Sequence, residues 1–245
     1  MIKVHLVMPM GGAGSRFALE NYELPKPLIK INDKPFFYWA TMSIIKDFEV
    51  ADVIFVVLEQ HVKKYCIDEE ILSYFPHAKI VVIPHVLDGP VLTSLKAVDY
   101  IEDSLPIIFN DCDHMFRCTA LANELKNNDS ITVAGGLLTF QSSEPQFSYV
   151  KYKNGKIIGT VEKQVVSDRA ICGAYFFKNK GIFENTAEMY LNDCQYKEYY
   201  MSGLYNIMIK NGGNVSAYDL DFHVEYGTPK EFSYAQNSHY FEDFR

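Results

Sequence analysis

The 245-residue sequence predicts an α/β fold: an open, mixed, mostly parallel sheet with helices on both faces, continued by a β-rich second half. Three observations carry this expectation. Short, almost wholly apolar runs alternate with amphipathic segments through the first 110 residues, the pattern of parallel strands buried on both faces. A glycine-rich turn, Gly11-Gly12-Ala13-Gly14, follows the first apolar run directly. Beyond residue 130 the apolar runs become consecutive, and two of them are joined by Asn154-Gly155, a pair suited to a type I′ hairpin turn.

Taken in order, "IKVHLVM" reads as a buried strand and "PFFYWATMSIIKDF" as a helix with proline at its start. "ADVIFVVLE" is a second strand, "HVKKYCIDEEILSYF" a helix and "AKIVVIP" a third strand. "GPVLTSLKAVDYIE" carries Val91, Leu95 and Val98 at i, i+4 and i+7, one face of a helix, and "LPIIFN" is a fourth strand. In the second half "SITVAGGLLTF" and "AICGAYFFK" read as strands and "FSYVKYKNGKIIGTVEK" as a hairpin. "EYYMSGLYNIMIKNGG" places Tyr200, Leu204, Ile207 and Met208 on one helical face and stops at glycines. "VSAYDLDFHVEYG" reads as a last strand before a helix from Thr228. No Pro/Gly/Ser-rich linker and no repeat interrupts the chain. The expectation is one Rossmann-like domain over residues 1–245, with a nucleotide-binding half (1–118) continuous with an acceptor-binding half (119–245).

Composition narrows the function classes. Hydrophobic residues make up 48% and charged residues 22%, enough for a substantial core. A net charge of −8 argues against a nucleic-acid binder that neutralises phosphates over a broad surface. No stretch reaches the roughly 18 apolar residues of a membrane-spanning helix, and the N-terminal apolar run is too short for a signal peptide. The five cysteines, Cys66, Cys112, Cys118, Cys172 and Cys194, include no CxxC pair. Reduced thiols in a cytoplasmic protein are the expectation.

The glycine turn has several possible chemistries. A Walker A loop ends in Gly-Lys-Ser/Thr, which is absent here. A dinucleotide fingerprint beginning at Gly12 and Gly14 needs a third glycine where Phe17 stands. What remains is a flexible backbone loop followed by two cations, Arg16 and Lys26. Glycine N–H groups can approach phosphate oxygens closely, an arginine can clamp them in pairs, and a lysine supplies a point charge.

On these residues the chain resembles the nucleotidyltransferases that make activated sugars and related compounds, the small cytidylyltransferases of the phosphocholine type among them. "GGAGSRF…LPKPLI" is similar to that family's opening signature. "LDGPVLTSLKAVDYI" resembles its base-contacting turn and following helix, and "PIIFNDCDHMF" its strand end with a metal-binding aspartate. "GTVEK", "CGAYFF" and "HVEYGTPKEF" resemble, in order, its Glu-Lys pair, its Gly-x-Tyr strand beside the acceptor and its closing motif. In the last, His223 replaces the family's tryptophan and Glu225 its aspartate.

The resemblance implies that a phosphate oxygen of an acceptor attacks the α-phosphorus of a nucleoside triphosphate and pyrophosphate leaves. Arg16 would hold the β- and γ-phosphates, and Lys26 the α-phosphate and the acceptor phosphate. Met10 to Ser15 (Met10, Gly11, Gly12, Ala13, Gly14 and Ser15) would cradle the nucleotide, and Leu87, Asp88 and Gly89 would read the base. Glu162, Lys163, Gly173 and Tyr175 would meet the acceptor. Mg²⁺ would lie on Asp113 and Glu225; aligning proline to proline puts the family's metal ligand on Asp113 rather than Asp111. Chain length favours CTP, with a sugar 1-phosphate or a phosphorylated alcohol or amino-acid derivative such as phosphocholine as acceptor. The products of such enzymes commonly serve capsule and other surface polysaccharides or lipopolysaccharide. No nucleic acid or membrane is expected as partner, and the assembly is expected to be a monomer or homodimer. Two other readings stand beside this one. Asp111-Cys112-Asp113 is literally the Asp-x-Asp of metal-dependent GT-A-type glycosyltransferases, and a non-catalytic nucleotide-binding regulatory module would share the loop.

Overall fold

The computed structural model describes residues 2–128 and 130–244. Its first half runs β1 (Val4–Met10), α1 (Ser15–Leu19), a small hairpin of β2 (Lys30–Ile31) and β3 (Lys34–Pro35), α2 (Phe36–Ile45), β4 (Val50–Leu58), α3 (Glu59–Tyr65), α4 (Ile67–Tyr74), β5 (Lys79–Ile83), α5 (Pro90–Leu95) and β6 (Ile107–Asn110). There follow β7 (His114–Arg117), α6 (Thr119–Asn127), β8 (Gly135–Gln141), β9 (Ser148–Lys153), β10 (Lys156–Glu162), β11 (Arg169–Phe177), α7 (Lys180–Asp193), α8 (Met201–Lys210), β12 (Val215–Asp219), β13 (Phe222–Glu225) and α9 (Pro229–Ala235).

Strands from both halves join one sheet in the order β10-β9-β11-β6-β1-β4-β5, with β8 paired to β11 and β12 to β8. The β5-β4-β1-β6 portion is parallel. β11 then runs antiparallel to β6 and carries the sheet into the second half. β1 shows why this arrangement is stable: it is apolar on both faces. Val7 packs with α5, α7 and α8 on one side, while Val4 and Leu6 pack with α2 and α6 on the other. Helices therefore cover both faces, as the apolar runs require.

The chain order places the site. β1 leads to β4 and β5 on one side, and the chain then returns to β6 on the other side of β1. Ligands of open α/β sheets bind beyond the carboxyl ends of the strands where the order reverses in this way. At this reversal β1 ends in the glycine loop and β6 ends in Asn110, just before Asp111-Cys112-Asp113.

Several elements depart from the sequence reading. The helix over 61–75 is two helices, broken at Cys66, which takes a left-handed φ of 50°. The helix over 89–102 ends at Leu95 and resumes as a 3-10 turn, Val98–Tyr100. The strand expected over 215–227 divides into β12 and β13, which belong to different sheets; Asp221 at the break accepts from the Thr119 N–H and hydroxyl. Helices α6 and α7 were not anticipated. Asn154-Gly155 forms the expected two-residue turn, with φ of 51° and 74° between paired Lys153 and Lys156.

Candidate active site

Two clefts open at the strand ends and share Asp111 and Pro90 as lining residues. The first, about 470 Å³, is lined by the loop from Met10 to Ser15, by Lys26, and by Leu87, Asp88 and Gly89. The second, about 200 Å³, is lined by Arg16, Asp113, Glu162, Gly173, Tyr175 and Glu225, together with His114, Tyr200 and His223. Sixteen of the expected site residues thus come together from the two halves of the chain, in the cleft expected to take the nucleotide (the donor side) and the one expected to take the acceptor (the acceptor side); Lys163 is the exception.

On the donor side, Gly14 is left-handed (φ 59°) and turns the loop into α1. The N–H groups of Gly12, Ala13 and Gly14 have no protein partner among the described residues, which leaves them free to donate. Arg16, expected on the donor side, instead lines the second cleft just past the loop; it is exposed, and among the described residues its guanidinium makes no hydrogen bond or ion pair. The opposite wall, Leu87–Pro90, is sewn to the segment before α8. Tyr199 N–H donates to Asp88 O at 3.0 Å and Val91 N–H to Tyr199 O at 3.1 Å.

Lys26 Nζ lies 2.8 Å from Asp113 Oδ2, with the two side chains 27% and 24% exposed. Burial is the largest single influence and works against both charges, but the partner's charge, the hydrogen bond between them and smaller nearby charges together outweigh it. The Lys26 ammonium holds the Asp113 carboxyl below the usual carboxylate range, and Asp113 holds Lys26 above the usual lysine range. Asp111 is different. Burial and then the Asp113 charge push its carboxyl up to about 7 against the pull of Lys26. Its carboxylate has no hydrogen bond or ion pair among the described residues.

On the acceptor side, Glu162 accepts from the Ser148 hydroxyl in a short hydrogen bond and from the Ser202 hydroxyl at 3.0 Å, so its carboxylate is held in the wall. Tyr175 is 8% exposed, and burial lifts its hydroxyl well above the usual tyrosine range, so it stays a neutral donor. Gly173 O accepts from Asp111 N–H at 3.0 Å and ties β11 to the end of β6. Lys163 is not brought into the cleft. It is exposed, its Nζ donates to Tyr200 Oη at 2.9 Å, and it stands 4.7 Å from the centre of the Tyr200 ring.

Whether Asp113 and Glu225 suit a magnesium ion can be tested on their surroundings. Both line the same cleft, and Tyr226 N–H, the residue after Glu225, donates to Asp113 O at 3.0 Å. A Cβ on Gly227 would fall 2.4 Å from Asp113 Oδ2, so glycine keeps open the space beside that carboxylate. Among the described residues no group of three or more His, Cys, Asp or Glu side chains forms a ready metal cage. Two carboxylates in an otherwise open cleft fit magnesium, which keeps water and substrate phosphate oxygens in its shell.

The sequence reading missed the side chains that organise these groups. His114, His223, Ser148 and Ser202 all touch site residues. In the sequence His223 stands out only as the residue in the place of the family's tryptophan. Its place two residues before Glu225 on a strand put both side chains on one face, and that was the available signal.

The residues of both clefts follow one pattern, and comparison with known proteins bears on what it is. No curated protein matches the chain significantly. Among solved structures, the nucleoside-diphosphate-sugar pyrophosphorylase from Vibrio cholerae RC9 superposes with a TM-score of 0.80 at 21% identity, over 95% of this chain and 100% of that one. The inositol-1-phosphate CTP transferase from T. maritima gives 0.75 at 15% identity, over 99% of this chain and 94% of that one. At such identities the likeness is one of fold. The nucleotidyl transferase family model matches residues 6–240, from the third residue of β1 to beyond α9, and so the chain belongs to the nucleotidyl transferase family.

Proposed function

We propose that the protein transfers the nucleotidyl group of a nucleoside triphosphate, CTP in the first instance, to a small phosphorylated acceptor. The observation that carries this reading is the meeting of two clefts at Asp111: one has free backbone donors and Lys26, the other has acid and tyrosine side chains with Arg16 at its edge. A reaction between two phosphate-bearing molecules needs cations at that junction. The acceptor is a sugar 1-phosphate or a phosphorylated alcohol or amino-acid derivative, and the product serves surface polysaccharide or lipopolysaccharide synthesis.

In this reading an oxygen of the acceptor phosphate forms a bond to the α-phosphorus. The bond from the α-phosphorus to the bridging oxygen breaks, and its electron pair leaves with pyrophosphate. Gly12 to Gly14 and Arg16 bind the departing β- and γ-phosphates, and Arg16 stabilises the charge that grows there. Lys26, held between Asp113 and the cleft, lets the two anions approach. Glu162, aimed by its two serines, and the Tyr175 hydroxyl orient the acceptor. Asp113 and Glu225 would hold magnesium, which when bound supplies further neutralisation of phosphate charge. Lys163 serves the acceptor only if Tyr200 releases it.

Pyrophosphate release from four nucleotides against a panel of phosphate monoesters tests the proposal. Release with CTP and at least one monoester is expected. Release of a nucleoside diphosphate from a nucleotide sugar would support glycosyl transfer instead, and triphosphate binding with no turnover across the panel would support a regulatory module.

A further inference from the structure

One wall residue of the donor cleft has no part in phosphate handling. Glu198 belongs to the second half of the chain, in the segment between α7 and α8, yet it lines the donor cleft with Leu87, Asp88 and Gly89. Its backbone is fixed there. Glu198 O accepts from Tyr200 N–H at 3.1 Å, and the next residue, Tyr199, donates to Asp88 O at 3.0 Å and accepts from Val91 N–H at 3.1 Å. The approach is so close that a Cβ on Gly89 would lie 2.6 Å from Tyr199 N. The fold thus carries residue 198 to the wall opposite the glycine loop by a contact that any side chain at position 89 would block.

The Glu198 side chain is uncommitted. It is exposed, and among the described residues its carboxylate makes no hydrogen bond or ion pair. Its charge reaches Lys163, but that ammonium donates to Tyr200 Oη at 2.9 Å. The placement runs against the charge of the expected ligand. Asp88 and Asp111 also line the cleft, and Lys26, the cation among its lining residues, is paired with Asp113. A further carboxylate repels a triphosphate unless it stands away from the phosphates and takes up a hydrogen bond of its own. Glu198 meets the first condition, since the free N–H groups for phosphate are on the opposite wall.

The second condition selects the base. A carboxylate accepts hydrogen bonds and donates none. Cytosine, adenine and guanine each carry an exocyclic amino group that donates, whereas uracil has a carbonyl oxygen in the place of the cytosine amino group. The remaining donor of the uracil ring, N3–H, is flanked by two carbonyl oxygens whose dipoles oppose an approaching carboxylate.

We infer that Glu198 is a specificity-determining residue for the donor: its carboxylate accepts from the exocyclic amino group of the base and selects an amino-bearing nucleotide, CTP over UTP among the pyrimidines. This deepens the proposed function and rests on it in one respect, that a nucleoside triphosphate occupies this cleft. It also gives the second half of the chain a share in recognising the donor.

Isothermal titration calorimetry with Mg²⁺ and no acceptor separates the claim from turnover. Each amino base is compared with a counterpart lacking that amino group: CTP with UTP, and ATP and GTP with ITP. In the unaltered protein the amino member is expected to bind about tenfold or more tightly, the scale of a hydrogen bond to a charged group. Glu198→Gln keeps the size and both donates and accepts, so the two members should then bind about equally. The melting temperature is the control, and an exposed side chain outside any hydrogen bond or ion pair should leave it unchanged. Equal binding of the two members by the unaltered protein, or tighter binding of the counterpart, overturns the inference. An equal loss on both members in Glu198→Gln and Glu198→Ala would put the carboxylate on the ribose, which they share, and overturns it too. Asp88→Asn tests the other carboxylate of that wall; a change of preference there with none in Glu198→Gln overturns the assignment to Glu198. Failure to bind any of the triphosphates removes the proposed function as well, whereas equal binding of amino bases and counterparts with pyrophosphate release intact removes this inference alone.

Discussion

Gly89 offers a quantitative test of how the donor cleft is built. It has φ +114°, and a Cβ there would lie 2.6 Å from Tyr199 N and 2.8 Å from Tyr199 O. Gly89→Ala therefore acts in two ways. An L side chain in that backbone region costs about 1–3 kcal/mol. Tyr199 must also withdraw, which loosens its hydrogen bonds to Asp88 O (3.0 Å) and from Val91 N–H (3.1 Å), each worth about 0.5–1.5 kcal/mol. Together these give a loss of about 2–6 kcal/mol. For a chain of this size each kcal/mol lowers the melting temperature by about 2–4 °C, so a fall of at least about 4 °C is expected. Gly12→Ala is the control, since a Cβ there meets no heavy atom within 4 Å, and its stability should stay within about 0.5 kcal/mol of the unaltered protein. Thermal unfolding followed by circular dichroism measures both. Equal melting temperatures for the two variants would refute the claim that the 87–90 wall is held by its contact with Tyr199. In turnover, Gly89→Ala should raise KM for the nucleotide more than it lowers kcat.

Three further outcomes follow from the site. Arg16→Ala should lower pyrophosphate release by at least about 100-fold with little change in melting temperature, because Arg16 has no protein partner to lose among the described residues; near-normal turnover would sink the phosphate-cradle reading. Asp113→Asn should abolish Mg²⁺-dependent activity and Asp111→Asn should be milder, and the reverse ranking in steady-state kinetics would reassign the metal ligand. Asp111 also predicts a pH effect in metal-free protein. Its folded carboxyl is pushed up to about 7, above its unfolded value, so the folded state holds the proton more tightly and stability falls as pH rises between about 4 and 7. Asp111→Asn removes that loss, so it should raise the melting temperature more at pH 8 than at pH 4; an equal rise at both would contradict the burial of this carboxylate.

The parallel half of the sheet was legible because its strands are buried on both faces, and a run such as "VIFVV" then has one interpretation. Helix α7 carries a readable signal: Phe183, Thr186, Ala187 and Tyr190 are buried at helical spacing, and Asn179 caps the helix by accepting from Ile182 N–H. The division between β12 and β13 depends on Asp221 reaching Thr119, a contact across 102 positions that no local pattern encodes. The site divides in the same way. The glycine loop and its cations were visible because they lie within one short segment. The Lys26–Asp113 pair, the serines on Glu162 and the joining of His114 to His223 span 14 to 109 positions and arise only when separate elements of the fold meet. Lys163 shows the converse: its neighbour Glu162 faces the cleft, while a left-handed φ of 54° turns Lys163 away, onto Tyr200.

The pairing of β11 with β6 has a consequence for how such a protein can change. Asp111 and Gly173 are bonded across adjacent strands, so the border between donor and acceptor clefts follows a seam in one sheet. Neighbouring strands lie about 4.8 Å apart, a spacing dictated by backbone hydrogen bonds and insensitive to side-chain identity. On the proposed reading, side chains of β9, β10, β11 and α8 can therefore be exchanged to admit a different acceptor while the separation of the two reacting molecules stays the same. If the proposed reading holds, engineering acceptor choice in this chain is a matter of repainting one side of a ruler whose divisions do not move.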